Sequence, residues 1–378
     1  MMQLTAPYFD EEEIRQLREC LDSRWVTQGP KTAEFERLFA ARHAVKHALA
    51  TTSCTAALHL ATLGLEIGPG DEVIVPAFTW ITSAHCAEYV GAKVVFADVE
   101  RETFNLDPKK LEAAITPATR AVVVVHLFGL SAKMDEILAI ARKYGLRVIE
   151  DAACAIGTNY RGRPVGAFGD IGCFSFHPRK VVSTGEGGMV STNDDGLADR
   201  VRSQRNHGAT GPADGDDPTK PYYMSTYNII GFNLRMSDIQ AAVGIAQMAK
   251  LDRLLAGRLA RANRYTELLQ ELPELAVPHV PDGCGHTYQG YVVRVLEGGR
   301  ARRNDVMEAL AAAGIQSRPG THAVHRLGYY RNKYRLAPSD FPVAAECEDT
   351  TITLPIFPGM TDADQDRVVA TLRAALRA

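Results

Sequence analysis

From Ala121 to Leu127 the chain reads Ala-Val-Val-Val-Val-His-Leu, four consecutive valines with one polar residue behind them. β-Branched side chains favour extended backbone, and a strand that is apolar on both sides has no face to offer water. It must lie inside a sheet covered above and below, which calls for helices on both faces. Neighbouring stretches fit that demand. His47–Ala50, Val73–Val75, Val94–Phe96, Leu146–Ile149 and Ile171–Phe176 read as strands, and Ala56–Ala61 and Met134–Tyr144 as helices. Alternation of this kind predicts an α/β chain with a mainly parallel sheet flanked by helices.

The ends of the chain read differently. Residues 10–22 and 31–42 predict two amphipathic helices before the first strand, the former capped by Asp10 and three glutamates. A helix starting near Asp238 is expected to run on through Leu251 to Leu272. Beyond residue 250 the pattern shortens to a strand at Tyr291–Val295, a helix at Arg302–Ala313 and a final helix capped at 360–364. The expected organisation is a large cofactor-binding domain over 1–249 and a small α+β domain over 250–378. Residues 209–226, polar and rich in proline and glycine, predict a lid, a binding loop or a plain surface insertion.

Composition removes several function classes. Net charge is −3 with both signs interspersed, so no basic field invites nucleic acid. No apolar run approaches the roughly 18 residues of a membrane helix, and the N-terminus lacks a basic-then-apolar signal. Seven scattered cysteines without a CxxC pair predict reduced thiols in a cytoplasmic protein, with neither disulfides nor a zinc site.

Parallel sheets bind ligands at the carboxyl ends of their strands. Thr55, Trp80, Asp151 and Lys180 all fall at or just past such ends. After the first strand come Thr51-Thr-Ser-Cys-Thr55 and then a helix, which is either an anion seat or ordinary N-capping. Lys180 follows a strand and precedes Gly185-Glu-Gly-Gly188, a turn that small residues allow. Pyridoxal 5′-phosphate (PLP) needs a phosphate grip, a ring stacker, a carboxylate for its ring nitrogen and an amine. The N–H groups of Thr55 and Ala56, the Trp80 indole, Asp151 and Lys180 supply those four in chain order.

Four longer motifs go further: Glu150-Asp-Ala-Ala-Cys-Ala-Ile-Gly157, Phe174-Ser-Phe-His-Pro-Arg-Lys180, Thr184-Gly-Glu-Gly-Gly188 and Gly231-Phe-Asn-Leu-Arg-Met-Ser-Asp238. With them the chain, from Glu11 to its last helix, resembles the DegT/StrS family of sugar aminotransferases. The resemblance implies the PLP-dependent transferase fold of type I, with a sheet of the seven-stranded type. It also implies a Schiff base on Lys180, Asp151 on the pyridine nitrogen, Ser175 on the phosphate and Trp80 on the ring. Asn233 would reach the phosphate of the neighbouring subunit, so a homodimer with shared sites is expected. Where the family usually has Ser-Gly-Thr this chain has Ser53-Cys54-Thr55, and Cys154 replaces a glutamine or histidine expected near the phenolic oxygen.

By the same resemblance the donor is L-glutamate and the acceptor a nucleotide-linked keto-deoxysugar. The two would be handled in turn by a ping-pong mechanism through pyridoxamine 5′-phosphate (PMP). Trp25, Glu186, His322, His325 and Arg331 are candidate substrate contacts, and Arg205, Arg235 and Arg331 candidate pyrophosphate contacts. His177 has a structural and a functional reading side by side. The rival readings are a cyclitol aminotransferase, a PMP-dependent sugar dehydratase (which would carry histidine in place of Lys180) and a non-catalytic PLP-binding regulator.

Overall fold

A computed structural model describes residues 1–212, 219–220 and 224–377. In chain order, α1 (Glu11–Ser23) and α2 (Pro30–His43) lead to β1 (His47–Thr51), α3 (Cys54–Gly64), β2 (Glu72–Pro76), β3 (Phe78–Thr79) and α4 (Thr82–Tyr89). Next come β4 (Lys93–Ala97), α5 (Pro108–Ala113), β5 (Thr119–Val125), α6 (Met134–Tyr144), β6 (Arg147–Asp151) and a small ribbon of β7 (Asn159–Tyr160) and β8 (Arg163–Pro164). The first half closes with β9 (Ile171–Ser175), β10 (Gly188–Thr192) and α7 (Asp195–Gln204).

Seven strands make the central sheet in the order β1-β10-β9-β6-β5-β2-β4. Pairings from β9 across to β4 are parallel, and β10 runs antiparallel to both β9 and β1. The valine strand β5 sits between β6 and β2, with Ala121 to Val125 all buried. Its alternate side chains go to opposite faces. Ala121, Val123 and Val125 join a core with Ala57 and Leu58 of α3 and Ala84 of α4. Val122 and Val124 join Met134, Ile137 and Ala141 of α6. Both faces are covered, as the sequence pattern requires.

The N-terminal helices buttress the antiparallel edge. Phe35 and Phe39 of α2 pack with Phe174, Phe176, Ala241 and Ile245. A ribbon of β11 (Ala209–Pro212) and β12 (Ser225–Tyr227) precedes α8 (Asp238–Ala249) and α9 (Leu251–Leu269). The rest of the stretch expected as a lid, a binding loop or a surface insertion, 213–218 and 221–223, lies outside the described residues. The single helix expected over 238–272 is broken at Lys250, whose ammonium turns to Asp10 (2.7 Å) and Glu13 (2.6 Å) of the N-terminal segment.

A second unit follows. β13 (Leu275–Ala276), β14 (Tyr291–Val295), α10 (Gly299–Ala312), β15 (His322–Ala323), α11 (Gly328–Tyr334), α12 (Pro342–Thr350), β16 (Thr351–Leu354) and α13 (Asp362–Arg377) complete the chain. β13, β14 and β16 form an antiparallel sheet, and its core draws on residues from Ala262 to Leu376. The division is not linear in sequence. Met2 bridges to Ile315 of the second unit, while Ala323, Val324, Tyr330, Ala344 and Cys347 pack into the main core. Within the stretch 321–325, β15 pairs antiparallel to β3 and thereby ties the second unit to the mouth of the first. Among the described residues no helix is long and apolar enough to cross a membrane.

Candidate active site

A cavity of about 270 Å³ opens where the sheet's carboxyl edge meets the second unit. It is lined by Thr55, Trp80, Asp151, Cys154, Ser175, Lys180 and Glu186, together with Cys54, His177, Arg179 and Arg318. Seven of the residues singled out in the sequence therefore meet in one place, although they come from five separate segments.

Asp151 is the last residue of β6 and is buried. A buried carboxylate costs free energy unless donors surround it. Ser83, in the first turn of α4, donates its hydroxyl to Oδ2 at 2.6 Å, and the Ala153 N–H donates to Oδ1 at 3.1 Å. Ser83 Oγ lies 3.0 Å from the Thr79 hydroxyl, so the chain Thr79–Ser83–Asp151 is a short buried relay. The preceding residue, Glu150, points to the other side of the strand. Its carboxylate accepts the N–H groups of Gly166, Phe168 and Gly169, each at 2.7 Å, and meets His126 Nε2 at 3.0 Å. Burial alone would raise the Glu150 pKa, but His126 and these backbone donors outweigh it and hold it below the ordinary value. His126 Nδ1 accepts the Ala132 N–H at 3.1 Å, which places a proton on Nε2. Glu150 thus fixes the strand end from which Asp151 emerges.

Lys180 sits in the turn after β9, with its N–H bonded to the His177 carbonyl at 2.8 Å. Its Nζ donates to Cys154 Sγ at 3.0 Å. His177 Nδ1 accepts the Arg179 N–H at 3.1 Å, and its Nε2 lies 4.0 Å from Glu186, so it braces the same turn. Burial pushes the His177 pKa down, with Glu186 opposing.

The anion seat is the start of α3. Ser53 caps it, accepting the Ala56 N–H on its hydroxyl at 3.1 Å. This corrects one expectation: the Ala56 N–H is engaged by the cap, and the donors left at the open first turn are those of Cys54 and Thr55. Cys54 is helical with negative φ, so the replacement of glycine there imposes no backbone strain. Thr51, Gly188 and Ser175 lie side by side across β1, β10 and β9, which brings the Ser175 hydroxyl to the same corner. Gly188 makes the corner possible. A Cβ there would meet Ser53 C at 2.4 Å and Cys54 N at 2.6 Å. Its smallness serves helix packing against the strand.

Trp80 is half exposed at the rim of this cavity, its ring 5.6 Å from that of His322. Other candidates lie elsewhere. His322 and Arg331 line a second cavity with Arg300, Arg303, Arg326, Glu348 and Asp349, which touches the first at Thr321. His325 is buried, with Nε2 3.3 Å from the Pro338 carbonyl and its ring against Phe341. The short 3₁₀ turn at 324–326 tucks it inward, so it does not make the expected cleft contact. Arg205 is buried against Glu36 and the Ala50 carbonyl, both at 2.6 Å, and is structural. Arg235 bonds to Asn206 at 2.7 Å. Trp25 donates to the Gln28 carbonyl at 3.1 Å, outside the cavity. Asn233 is exposed, bridged to Asn206, and also outside.

The donor set fits PLP. Two open N–H groups and a hydroxyl suit a phosphate, a buried carboxylate held by two donors suits a protonated ring nitrogen, and an amine stands in the same cavity.

Comparison with known proteins gives the same chemistry. Residues 7–373 match the DegT/DnrJ/EryC1/StrS aminotransferase family. A GDP-perosamine synthase of Caulobacter vibrioides is 44% identical over 375 residues, covering 99% of this chain and 98% of the relative. The spore coat polysaccharide biosynthesis protein SpsC of Bacillus subtilis is 40% identical, covering 98% and 95%. Among solved structures, Spr1654 of Streptococcus pneumoniae in its PMP form superposes with a TM-score of 0.95 at 28% identity, covering 100% of this chain and 99% of that one. The same protein has been solved in a PLP form.

Proposed function

The chain belongs to the DegT/DnrJ/EryC1/StrS aminotransferase family, a PLP-dependent family of sugar aminotransferases, and from that premise we propose that it moves an amino group from L-glutamate to a nucleotide-linked keto-deoxysugar. The observation that carries the proposal is the meeting of buried, doubly bonded Asp151 and the Lys180 amine in one cavity, with the start of α3 beside them. The sugar acceptor is supported by the GDP-perosamine synthase relative, whose name places a GDP-linked amino sugar as its product.

The residues divide the work as follows. The Cys54 and Thr55 N–H groups and the Ser175 hydroxyl would hold the cofactor phosphate. Asp151 would accept a hydrogen bond from the ring nitrogen, Trp80 would cover the ring, and Lys180 would hold the carbonyl carbon. PLP, once bound, supplies a carbonyl that captures amines and a ring that draws electrons from the adjacent carbon. Ser83 and the Ala153 N–H keep Asp151 aimed at the ring. The Lys180 amine, standing in the same cavity, would be the base that takes the α-proton of the donor and returns it. Its neighbour Cys154 positions Nζ within the cavity. In the second half the same base works in the opposite sense on the keto-sugar, which makes the kinetics ping-pong.

The site is completed by a second copy of the chain. Asn233 lies outside its own cavity, exposed, in a segment where Ile230 is also exposed and where the Phe232 ring lies 5.1 Å from that of His59, which meets Tyr89 edge-on at 5.3 Å. Apolar exposure of that kind marks an association surface. We place Asn233 at the phosphate of the other protomer.

The test is transfer of ¹⁵N from L-glutamate to a purified nucleotide-linked keto-deoxysugar, read by mass. Label in the sugar is expected. Absence of label with GDP-, UDP- and dTDP-linked acceptors alike would count against the proposed acceptor.

A further inference from the structure

The aminotransferase reading leaves two arginines of the cavity without a task, exposed Arg179 and half-buried Arg318. Arg318 stands on the wall contributed by the second unit, near Gln289, Gly320 and Thr353. Its backbone is pinned, the carbonyl accepting the Thr353 N–H at 2.7 Å. Its guanidinium reaches only two carbonyls of its own loop, Pro319 at 3.2 Å from Nε and Gly320 at 3.1 Å from Nη2. Among the described residues no carboxylate pairs with it, whereas nearby Arg300 and Arg326 share Glu348 and Asp349. Burial holds the Arg318 pKa below the ordinary arginine value, and the positive charge of Arg179 pushes the same way. A half-buried guanidinium beside a second cation, satisfied by carbonyls alone, is a receptor for an oxyanion.

The position selects which anion. The phosphate seat at α3 and Ser175 belongs to the opposite unit. On the same wall as Arg318 the Gln289 side-chain amide donates to the carbonyl of Arg179, the residue before Lys180, at 2.8 Å, so this wall closes over the lysine turn. Arg318 therefore sits on the amine side of the cavity. In an α-amino acid the carboxylate is one bond from the carbon that bears the amine. In a nucleotide-linked sugar the diphosphate is separated from the reacting carbonyl by atoms of the ring. A planar guanidinium also matches a carboxylate with two parallel N–H bonds.

We infer that Arg318 binds the α-carboxylate of the amino donor and is the residue that admits α-amino acids to the first half of the reaction. The inference rests on the aminotransferase reading. It gives Arg318 no part in holding the nucleotide, so the two anions of the reaction are read by different groups.

The experiment uses PLP-loaded wild type, Arg318→Gln and Arg318→Lys. Calorimetry measures binding of glutarate, a dicarboxylate with no amine to react, and of GDP. Stopped-flow absorbance follows reaction with L-glutamate. One charge-assisted, bidentate contact corresponds to roughly 10- to 150-fold in affinity. Arg318→Gln is expected to weaken glutarate and L-glutamate by that factor while GDP affinity stays within about twofold of wild type. Arg318→Lys keeps the charge and loses the fork, so an intermediate loss is expected, and it carries the test if the glutamine variant does not fold. Unchanged glutarate affinity in both variants overturns the inference, and so does a loss confined to GDP. A wild-type protein that never reacts with L-glutamate would instead overturn the aminotransferase reading beneath it.

Discussion

Ser83→Ala removes the donor that Asp151 leans on, and the structure lets its cost be worked out. The Ser83–Asp151 bond is 2.6 Å long, buried, and made to a carboxylate, and such bonds contribute about 1.5–3 kcal/mol. The variant leaves Asp151 Oδ2 without that donor and strips the Thr79 hydroxyl of its neighbour. PLP affinity, titrated by fluorescence, should fall roughly tenfold to a hundredfold, and kcat/KM by a similar factor. Lost stability alone would also lower activity, so the decisive assay is a double-mutant cycle with Asp151→Asn. If Ser83 acts through Asp151, its removal should cost little more once the carboxylate is gone, giving a coupling of about 1 kcal/mol or more in cofactor affinity. Equal costs in the two backgrounds would refute the relay and leave Ser83 as a packing residue.

Three further outcomes are expected. Gly188→Ala places a Cβ 2.4 Å from Ser53 C, so the start of α3 must shift; overpacking of this kind costs about 1–3 kcal/mol, and PLP affinity should fall with Tm. His43 is buried with Nε2 unpartnered, and burial pushes its pKa down to about 4 from an ordinary 6.5. The unfolded chain therefore binds the proton more readily than the folded one. The stability His43 confers is complete above 6.5 and falls by roughly 3 kcal/mol as pH drops towards 4, and His43→Leu should flatten that part of the acid-unfolding profile. Mixing inactive Lys180→Ala with inactive Asn233→Ala should restore activity, because a mixed dimer holds one site with both residues intact; no recovery after subunit exchange would argue against shared sites.

What was legible in the sequence had a local signature. The valine strand, its flanking helices and the strand-end positions of Asp151 and Lys180 follow from periodicity, and one cavity collects both residues. What escaped depends on partners far away in the chain. Ser83 is an unremarkable serine until folding sets it on Asp151, 68 residues later. Glu150 looks like any polar residue at a strand end, yet it ties down a loop and His126. Arg205 was indistinguishable from a solvated arginine, and pairing with Glu36 across 169 residues gave it another role. His325 and the β15–β3 pairing were missed for one reason: two-residue strands and single 3₁₀ turns are too short to leave a period. The break at Lys250 likewise follows from a buried ion pair with α1 and its cap, which no window around the helix contains.

The central claim is that Lys180 and Asp151 form a working PLP site, and one spectrum tests it. Wild-type protein reconstituted with PLP should show a visible band that disappears on adding L-glutamate and returns with 2-oxoglutarate. Lys180→Ala, folded to the same Tm, should show neither the wild-type band nor the response, and its turnover should fall at least about a hundredfold. A Lys180→Ala protein that keeps both the band and its bleaching by L-glutamate would contradict the account.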